Sequence, residues 1–170
     1  MIFSVSGLPR SGTAWCSTFF SLNPYCIGVH ELATANKRWR EELEELDVSF
    51  PFVADCTTYE CMLPDMYEKR IWIHRDPNQC LKSSQFLFGD IELQFWDEYV
   101  RVAEQYKSSA TLVVEFDDLF TEQAMMEMWY HVFPKHMVFP KLKAMWLARM
   151  NVQRHKAVEV FTVENCQTIL

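Results

Sequence analysis

Two glycines near the start of the chain enclose residues that can bind an anion. Gly7 and Gly12 are five positions apart, Arg10 and Ser11 lie between them, and Thr13 follows. Glycines allow backbone N–H groups to turn inward around a phosphate-like group, and a helix that begins there adds partial positive charge. Arg10 adds a permanent charge, while Ser11 and Thr13 add hydroxyl donors. The spacing predicts a phosphate-binding loop, with an ordinary strand-to-helix turn as the alternative.

This loop lacks the lysine that nucleotide kinases and GTPases carry directly after the second glycine, because Thr13 follows Gly12. The cation is instead Arg10, inside the loop. No apolar strand that ends in aspartate presents an obvious Mg²⁺ ligand, although Asp55 could serve as one. These features predict a donor molecule that is handled without a metal ion, and no metal-binding residue is predicted.

A second polar pair follows a later apolar run. Arg75 comes directly after the strand-like residues Arg70–His74, and Ser83 lies eight positions further on, in a helix-like segment. The forked, permanently charged guanidinium and the short hydroxyl can converge on one phosphate. Ser84 is the alternative if the helical register shifts by one. A strand-to-helix turn with an exposed arginine would explain the same residues without a ligand.

Both motifs resemble those of sulfotransferases that use 3′-phosphoadenosine-5′-phosphosulfate (PAPS). The run from Leu8 to Trp15 is similar to that family's 5′-phosphosulfate loop, in which Pro-(Lys/Arg)-Ser-Gly-Thr-Thr precedes a helix. Ala14 stands here in place of the second threonine. The resemblance implies that the 5′-phosphosulfate is bound by Pro9, Arg10, Ser11, Gly12, Thr13 and Ala14. It also makes Trp15 a candidate for stacking on the adenine, with a position in the core as the alternative.

The second motif carries the same resemblance. In that family, Arg-(Asp/Asn)-Pro is followed by a serine eight residues after the arginine, and both bind the 3′-phosphate of PAPS. Arg75 and Ser83 have this spacing. The resemblance therefore implies PAPS as co-substrate, with Arg75 and Ser83 on its 3′-phosphate and no metal ion.

Two neighbouring residues are candidates for the catalytic base. The tyrosylprotein class of the family places a glutamate 21 residues after the loop arginine, past an Asn/His-Pro turn, and Glu31 matches that position beyond Asn23-Pro24. The resemblance assigns to Glu31 the removal of the acceptor's proton. His30 is the rival, because cytosolic relatives use a histidine and its ordinary pKa suits the task. A polar strand end or a helix cap is the third interpretation.

The implied activity is transfer of a sulfuryl group from PAPS to a hydroxyl or amine of a small-molecule or peptide acceptor, with Arg10 stabilising the transferring group. Some relatives carry a lysine in the strand that corresponds to Phe52–Thr58, and this chain has none there. Thr57 and Thr58 could donate hydrogen bonds in its place. A catalytically reduced module that binds an adenosine nucleotide is therefore one alternative, and a P-loop kinase that uses ATP is another.

The patterns around these residues predict how they are positioned. Short apolar runs alternate with helical ones, which indicates parallel βαβ units in a three-layer αβα arrangement with a mostly parallel central sheet. The resemblance described above implies that this is a P-loop NTPase-like sulfotransferase fold. One domain over residues 1–170 is predicted. Ligands in such sheets bind at the carboxyl ends of the strands. The predicted strands are Ile2–Ser6, Phe52–Ala54, Arg70–His74 and Thr111–Glu115, and the predicted helices are Thr13–Leu22, Ala33–Leu46, Pro77–Phe88, Asp90–Tyr106, Thr121–Val132 and Pro140–Met150.

Composition narrows the setting in which the protein works. The net charge of −7 argues against a nucleic-acid partner. No apolar run has the length that a membrane span needs, and no signal peptide is evident, so no membrane span is predicted. The six cysteines form neither a CxxC pair nor a zinc-binding pattern. Reduced thiols and a cytoplasmic location are therefore predicted. The motifs specify neither the acceptor nor the oligomeric state.

Overall fold

The structure, a computed structural model, describes residues 1–32, 38–58 and 67–151. Strands and helices alternate along these ranges, as the sequence predicts. The strands are β1 (Ile2–Gly7), β2 (Cys26–His30), β3 (Phe52–Cys56), β4 (Lys69–His74) and β5 (Leu112–Glu115). The helices are α1 (Thr13–Phe20), α2 (Trp39–Ser49), α3 (Pro77–Phe88), α4 (Leu93–Lys107), α5 (Glu122–Val132) and α6 (Lys141–Asn151). The first residues of the predicted helix Ala33–Leu46 lie outside the described residues.

The five strands form one sheet in the order β2-β3-β1-β4-β5. Every neighbouring pair is parallel. The first strand of the chain is thus the central one, and it is flanked by β3 and β4. Because all strands run the same way, their carboxyl ends meet at one edge, where the loop after β1 lies next to the ends of β3 and β4. The predicted α/β class with a parallel central sheet is confirmed.

Helices cover both faces of the sheet, since alternate side chains of each strand point to opposite faces. One face holds the main core, in which aromatic residues of α1 and α5 pack on β1; Phe3 contacts Phe20 with ring centroids 4.9 Å apart. The other face carries two smaller clusters. Trp72 of β4 packs against α3 and α4, and Leu43 of α2 packs against Val53 of β3. This completes the three layers.

The sequence patterns above do not predict the edge strand β2. It has only five residues, and Gly28 at its centre has little strand preference. Gly28 has a packing reason, because a Cβ there would lie 2.0 Å from the carbonyl oxygen of Ser17 in α1. The glycine allows α1 to lie directly against β2. This close approach brings the end of β2 next to the start of α1.

Helix α3 begins immediately beyond Arg75. Asp76 caps it, since its Oδ1 accepts a hydrogen bond from the backbone N–H of Gln79 at 2.9 Å, and Pro77 occupies the first turn. Gly89 follows its last residue with a φ of 83°. Among the described residues, no helix is both long enough and apolar enough to cross a membrane.

Candidate functional site

The loop between β1 and α1 has a tightly turned backbone. Arg10 has a φ of 72° and Gly12 a φ of 95°. The N–H of Ser11 donates to the carbonyl oxygen of Leu8 at 3.0 Å. Positive φ is uncommon for a residue other than glycine, so this turn holds Arg10 in an uncommon backbone conformation. The loop leads directly into the N-terminus of α1 at Thr13.

Ser11 lies at the centre of this turn and explains why Gly7 is a glycine. A Cβ on Gly7 would lie 2.2 Å from the Ser11 Oγ and 2.6 Å from the carbonyl oxygen of Ile73. Ser11 is fully buried, and its hydroxyl has no hydrogen-bond partner within the described part of the chain. A buried hydroxyl without a partner is costly. An anion held by the loop could satisfy it.

The two motifs meet in the folded chain. Arg10 Nε donates to Ser83 Oγ at 3.2 Å, although the residues are 73 positions apart. Arg75 Nη1 donates to the backbone carbonyl oxygen of Arg10. The guanidinium of Arg75 also stacks over the ring of Phe116, 4.1 Å from its centroid. Arg10, Arg75 and Ser83 therefore form one cluster at the carboxyl edge of the sheet, which we call the arginine cluster.

This cluster carries two cations with no counter-ion among the described residues, since neither guanidinium forms a salt bridge there. Partial burial, followed by the charge of Arg75, lowers the pKa of Arg10, which still remains protonated near neutral pH. The Nε of Arg75 is buried without a hydrogen-bond partner in the described chain. Adjacent cations with unused donors are well suited to hold an anion.

The helical register brings Ser83, and not Ser84, to Arg10. Ser84 is 1% exposed, and its Oγ has no hydrogen-bond partner among the described residues. The two serines differ because consecutive residues of a helix face directions about 100° apart. Ser83 is thus the serine that contacts the loop, and its partner there is Arg10.

Glu31 follows β2 in a left-handed conformation, with a φ of 53°. Its N–H donates to the carbonyl oxygen of Cys56, and its Oε1 accepts a hydrogen bond from the N–H of Thr58, both at 3.0 Å. Burial raises the pKa of Glu31, and hydrogen bonds from Thr58 and Thr57 offset part of that effect. The result is a fixed carboxylate with a raised pKa, which is the property expected of a base.

His30 lies between the start of α1 and Glu31. Its Nε2 lies 3.3 Å from Thr13 Oγ1 and 3.8 Å from Glu31 Oε1. Burial lowers the pKa of His30 to about 4, so the ring is neutral near neutral pH. A neutral ring can exchange a hydrogen bond with Thr13 at the start of α1. Of the two neighbours of His30 Nε2, only Thr13 Oγ1 lies within hydrogen-bond distance of it.

Trp15 lies in the core, and the expectation that it stacks on an adenine is corrected. The residue is 3% exposed, and its ring stacks on Phe19 with centroids 5.1 Å apart. Its indole Nε1 donates to the carbonyl oxygen of Leu147 at 3.4 Å. On α1 this position points toward the central core, because the helix packs that side against the sheet. The core alternative is the one that the structure supports.

Pro9 and Ala14 lie at the two ends of the loop region. Both are half-buried. Ala14 accepts a hydrogen bond from Ser17 Oγ at its carbonyl oxygen, 2.8 Å away, and offers a ligand only its methyl group. Pro9 lines a cavity next to the loop.

Asp55 is buried in β3, next to the central strand. It pairs with Ser4 in the parallel register, three residues before Gly7. Its Oδ2 accepts a hydrogen bond from Tyr67 Oη at 2.6 Å, and burial raises its pKa to about 6. Across the described ranges, no three His, Cys, Asp or Glu side chains are grouped so that they could hold a metal ion.

Two contributions to the site carry no signal in the sequence. Thr58 holds Glu31 through a backbone N–H, which every residue except proline possesses. Phe116 supports Arg75 by placing its ring under the guanidinium, and one phenylalanine after a strand is not distinctive. Both contacts depend on the strand order, which places β3 beside β2 and β5 beside β4.

A parallel sheet with helices on both faces, and a glycine-bounded loop between its central strand and a helix, is an α/β arrangement in which the loop lies at the carboxyl edge of the sheet. No known family profile matches the chain, and no curated protein matches it. Among solved structures, shikimate kinase from Bacteroides thetaiotaomicron is similar over 78% of this chain and 95% of its own, with 12% identity and a TM-score of 0.49. At this level of similarity, the match does not identify an activity.

Proposed function

We propose that this chain is a transferase that binds PAPS and moves its sulfuryl group to a hydroxyl or amine acceptor without a metal ion. The observation that carries the proposal is the 3.2 Å hydrogen bond between Arg10 Nε and Ser83 Oγ. It joins the loop assigned to the 5′-phosphosulfate with the serine assigned to the 3′-phosphate. The loop lacks the kinase lysine, and it has Arg10 inside it and Arg75 in contact with it. This arrangement favours PAPS over a Mg²⁺-bound triphosphate as the donor.

The donor side uses groups that lack partners within the described chain. Ser11 Oγ and Arg75 Nε are both buried without hydrogen bonds there, so they fit a ligand rich in acceptor oxygens. In this proposal, Arg75 and Ser83 bind the 3′-phosphate. The loop N–H groups and Arg10 bind the 5′-phosphosulfate. The negative charge of the nucleotide also relieves the repulsion between the two guanidiniums.

The acceptor side uses Glu31. The acceptor oxygen or nitrogen attacks the sulfur in line, its proton passes to the Glu31 carboxylate, and the bond from sulfur to the bridging 5′-phosphate oxygen breaks. The electron pair of that bond stays on the phosphate, and 3′,5′-ADP leaves. Arg10 stabilises the charge that develops on this phosphate. The raised pKa of Glu31 makes it a stronger base than an exposed glutamate, whereas His30, with a pKa of about 4, is a weaker one.

Ligand-induced stabilisation tests the donor assignment. The melting temperature should rise with 3′,5′-ADP and should rise much less with ADP at the same concentration, with or without Mg²⁺. A ligand at 100 times its Kd stabilises a fold by about 2.7 kcal/mol, which a thermal melt resolves. Transfer is then measured with ³⁵S-labelled PAPS and a panel of acceptors. Equal stabilisation by ADP and 3′,5′-ADP would remove the 3′-phosphate assignment.

A P-loop kinase is the second candidate, and Asp55 is the observation that favours it. This carboxylate lies on the strand beside β1, and its Oδ1 has no hydrogen-bond partner in the described chain. The same measurement separates the two candidates, because a kinase would be stabilised by ATP with Mg²⁺ and not by 3′,5′-ADP. Nucleotide binding without sulfuryl transfer to any acceptor would favour the binding-module alternative.

A further inference from the structure

A cavity of about 470 Å³ opens beside the phosphate loop, between α3 and α4. Its wall is largely aromatic and aliphatic. Its lining includes Pro9, Thr58, Ser84, Phe88, Phe95 and Trp96. The volume lies within the range of pockets that bind small organic molecules.

One end of the cavity borders the site described above. Pro9 is the residue before Arg10, and Ser84 is the residue after Ser83. Thr58 donates its N–H to the carboxylate of Glu31 at 3.0 Å. A molecule in the cavity therefore lies next to both the proposed sulfuryl position and the proposed base. The lining also includes Phe88 and Phe95, which are 73% and 66% exposed.

Two polar side chains of the cavity wall already have hydrogen-bond partners. Glu98 is engaged by Arg101, whose Nε donates to it at 2.8 Å, and Tyr99 Oη donates to the carbonyl oxygen of Thr58 at 2.7 Å. Ser84 differs from these residues. It is almost completely buried, and its Oγ has no hydrogen-bond partner among the described residues. A ligand with an apolar body and one polar group would fill the cavity and satisfy this hydroxyl.

We infer that this cavity, with Ser84 as its orienting hydroxyl, binds the acceptor, and that the acceptor is an uncharged, mostly apolar alcohol or phenol. The inference rests on the proposed function. The apolar wall disfavours charged acceptors, because burying a charge there has no compensating partner. The hydroxyl of the acceptor exchanges a hydrogen bond with Ser84 Oγ at the end of the cavity nearest Glu31. Its proton goes to Glu31, and its oxygen takes the place of the phosphate oxygen on sulfur.

Calorimetric titration with 1-naphthol, in the presence and absence of 3′,5′-ADP, tests the inference. Val102, which also lines the cavity, is changed to tryptophan to fill it, and Gln105→Trp on the exposed side of α4 is the matched control. Val102→Trp should weaken 1-naphthol binding more than tenfold and leave 3′,5′-ADP binding unchanged, while Gln105→Trp should change neither. Phe95→Asp should also weaken 1-naphthol binding. Because Phe95 is exposed, this variant keeps the test valid if Val102→Trp does not fold.

Ser84→Ala tests the orienting hydroxyl. It should weaken 1-naphthol binding by roughly twofold to tenfold, the effect of one neutral hydrogen bond, and leave naphthalene binding unchanged. If 3′,5′-ADP binds but 1-naphthol does not, or if Val102→Trp and Phe95→Asp both leave 1-naphthol affinity intact, the acceptor cavity is wrong and the proposed function stands. If 1-naphthol binds in the cavity but 3′,5′-ADP does not bind at all, the proposed function fails, and the acceptor role fails with it.

Discussion

The Nε of Arg10 and the Oγ of Ser83 lie 3.2 Å apart, in a hydrogen bond that spans 73 residues of chain. One residue belongs to the loop after the central strand, and the other to the helix after its neighbour β4. Arg75, at the end of β4, holds the carbonyl oxygen of Arg10 from the same side. The loop and the second motif therefore act as one binding unit. We expect a substitution in one of them to change how the other binds a ligand.

Arg75→Ala should weaken the binding of 3′,5′-ADP by about 1.5–3 kcal/mol, the contribution of a hydrogen bond to a charged group. Ser83→Ala should cost less, because it removes one hydrogen bond to the phosphate but no positive charge. Titration calorimetry gives both values, with the exposed Arg101→Ala as control. Unchanged affinity in Arg75→Ala would contradict the assignment of the 3′-phosphate.

Glu31→Gln should lower the turnover of sulfuryl transfer by roughly 10²–10⁴ and leave nucleotide affinity nearly unchanged. The amide oxygen of glutamine can still accept the Thr58 N–H, so the strand end should keep its shape. His30→Gln should have a smaller effect, through loss of the contact with Thr13. The base would be misassigned if His30→Gln abolished transfer and Glu31→Gln did not.

The rate of transfer should rise with pH through the raised pKa of Glu31, because the base must be deprotonated. The acid limb of the kcat profile should therefore lie above the pKa of about 4.3 of an ordinary glutamate, and it should disappear in Glu31→Gln. His30 is protonated only below a pH of about 4, so it adds no limb near neutral pH. A limb that persisted unchanged in Glu31→Gln would exclude Glu31 as its source.

Asp55 should make stability depend on pH. Burial raises its pKa in the folded state from 3.8 to about 6, so its contribution is fully present below the unfolded pKa and is lost as pH rises through about 6. The full loss is on the order of 3 kcal/mol. Denaturant unfolding at pH 4 and pH 7 should show this difference for the wild type relative to Asp55→Asn, which keeps an acceptor for Tyr67. Parallel pH profiles in both proteins would refute it.

Gly28→Ala should destabilise the fold by about 1–3 kcal/mol or more, because its Cβ would meet the Ser17 carbonyl oxygen at 2.0 Å and the backbone would have to move. Gly89→Ala is the comparison. It meets no atom within 4 Å, and its cost should come only from its backbone conformation, φ 83° and ψ −157°, which is almost restricted to glycine and costs about 1–3 kcal/mol for another residue. Urea unfolding measures both changes. A Gly28→Ala variant as stable as the wild type would mean that the contact between α1 and β2 is not the constraint.

The sequence by itself determined the local features of this protein. Apolar runs that alternate with helical runs predicted the parallel α/β layers, because periodicity and short connections leave few other ways to bury those residues. The glycine spacing predicted a tight turn between the first strand and the first helix, and the spacing from Arg75 to Ser83 singled out the second pair of polar residues. These properties depend on neighbours in the chain, and so they can be recognised there.

Only the tertiary structure decided which distant residues meet. The strand order placed β4 beside β1, so that Arg75 and Ser83 lie against Arg10, and it placed β3 beside β2, so that Thr58 holds Glu31. The tertiary structure also places Trp15 in the core, where its ring packs on that of Phe19. Such contacts join residues tens of positions apart, and no local spacing encodes them, because their distances are set by how the helices pack on the sheet.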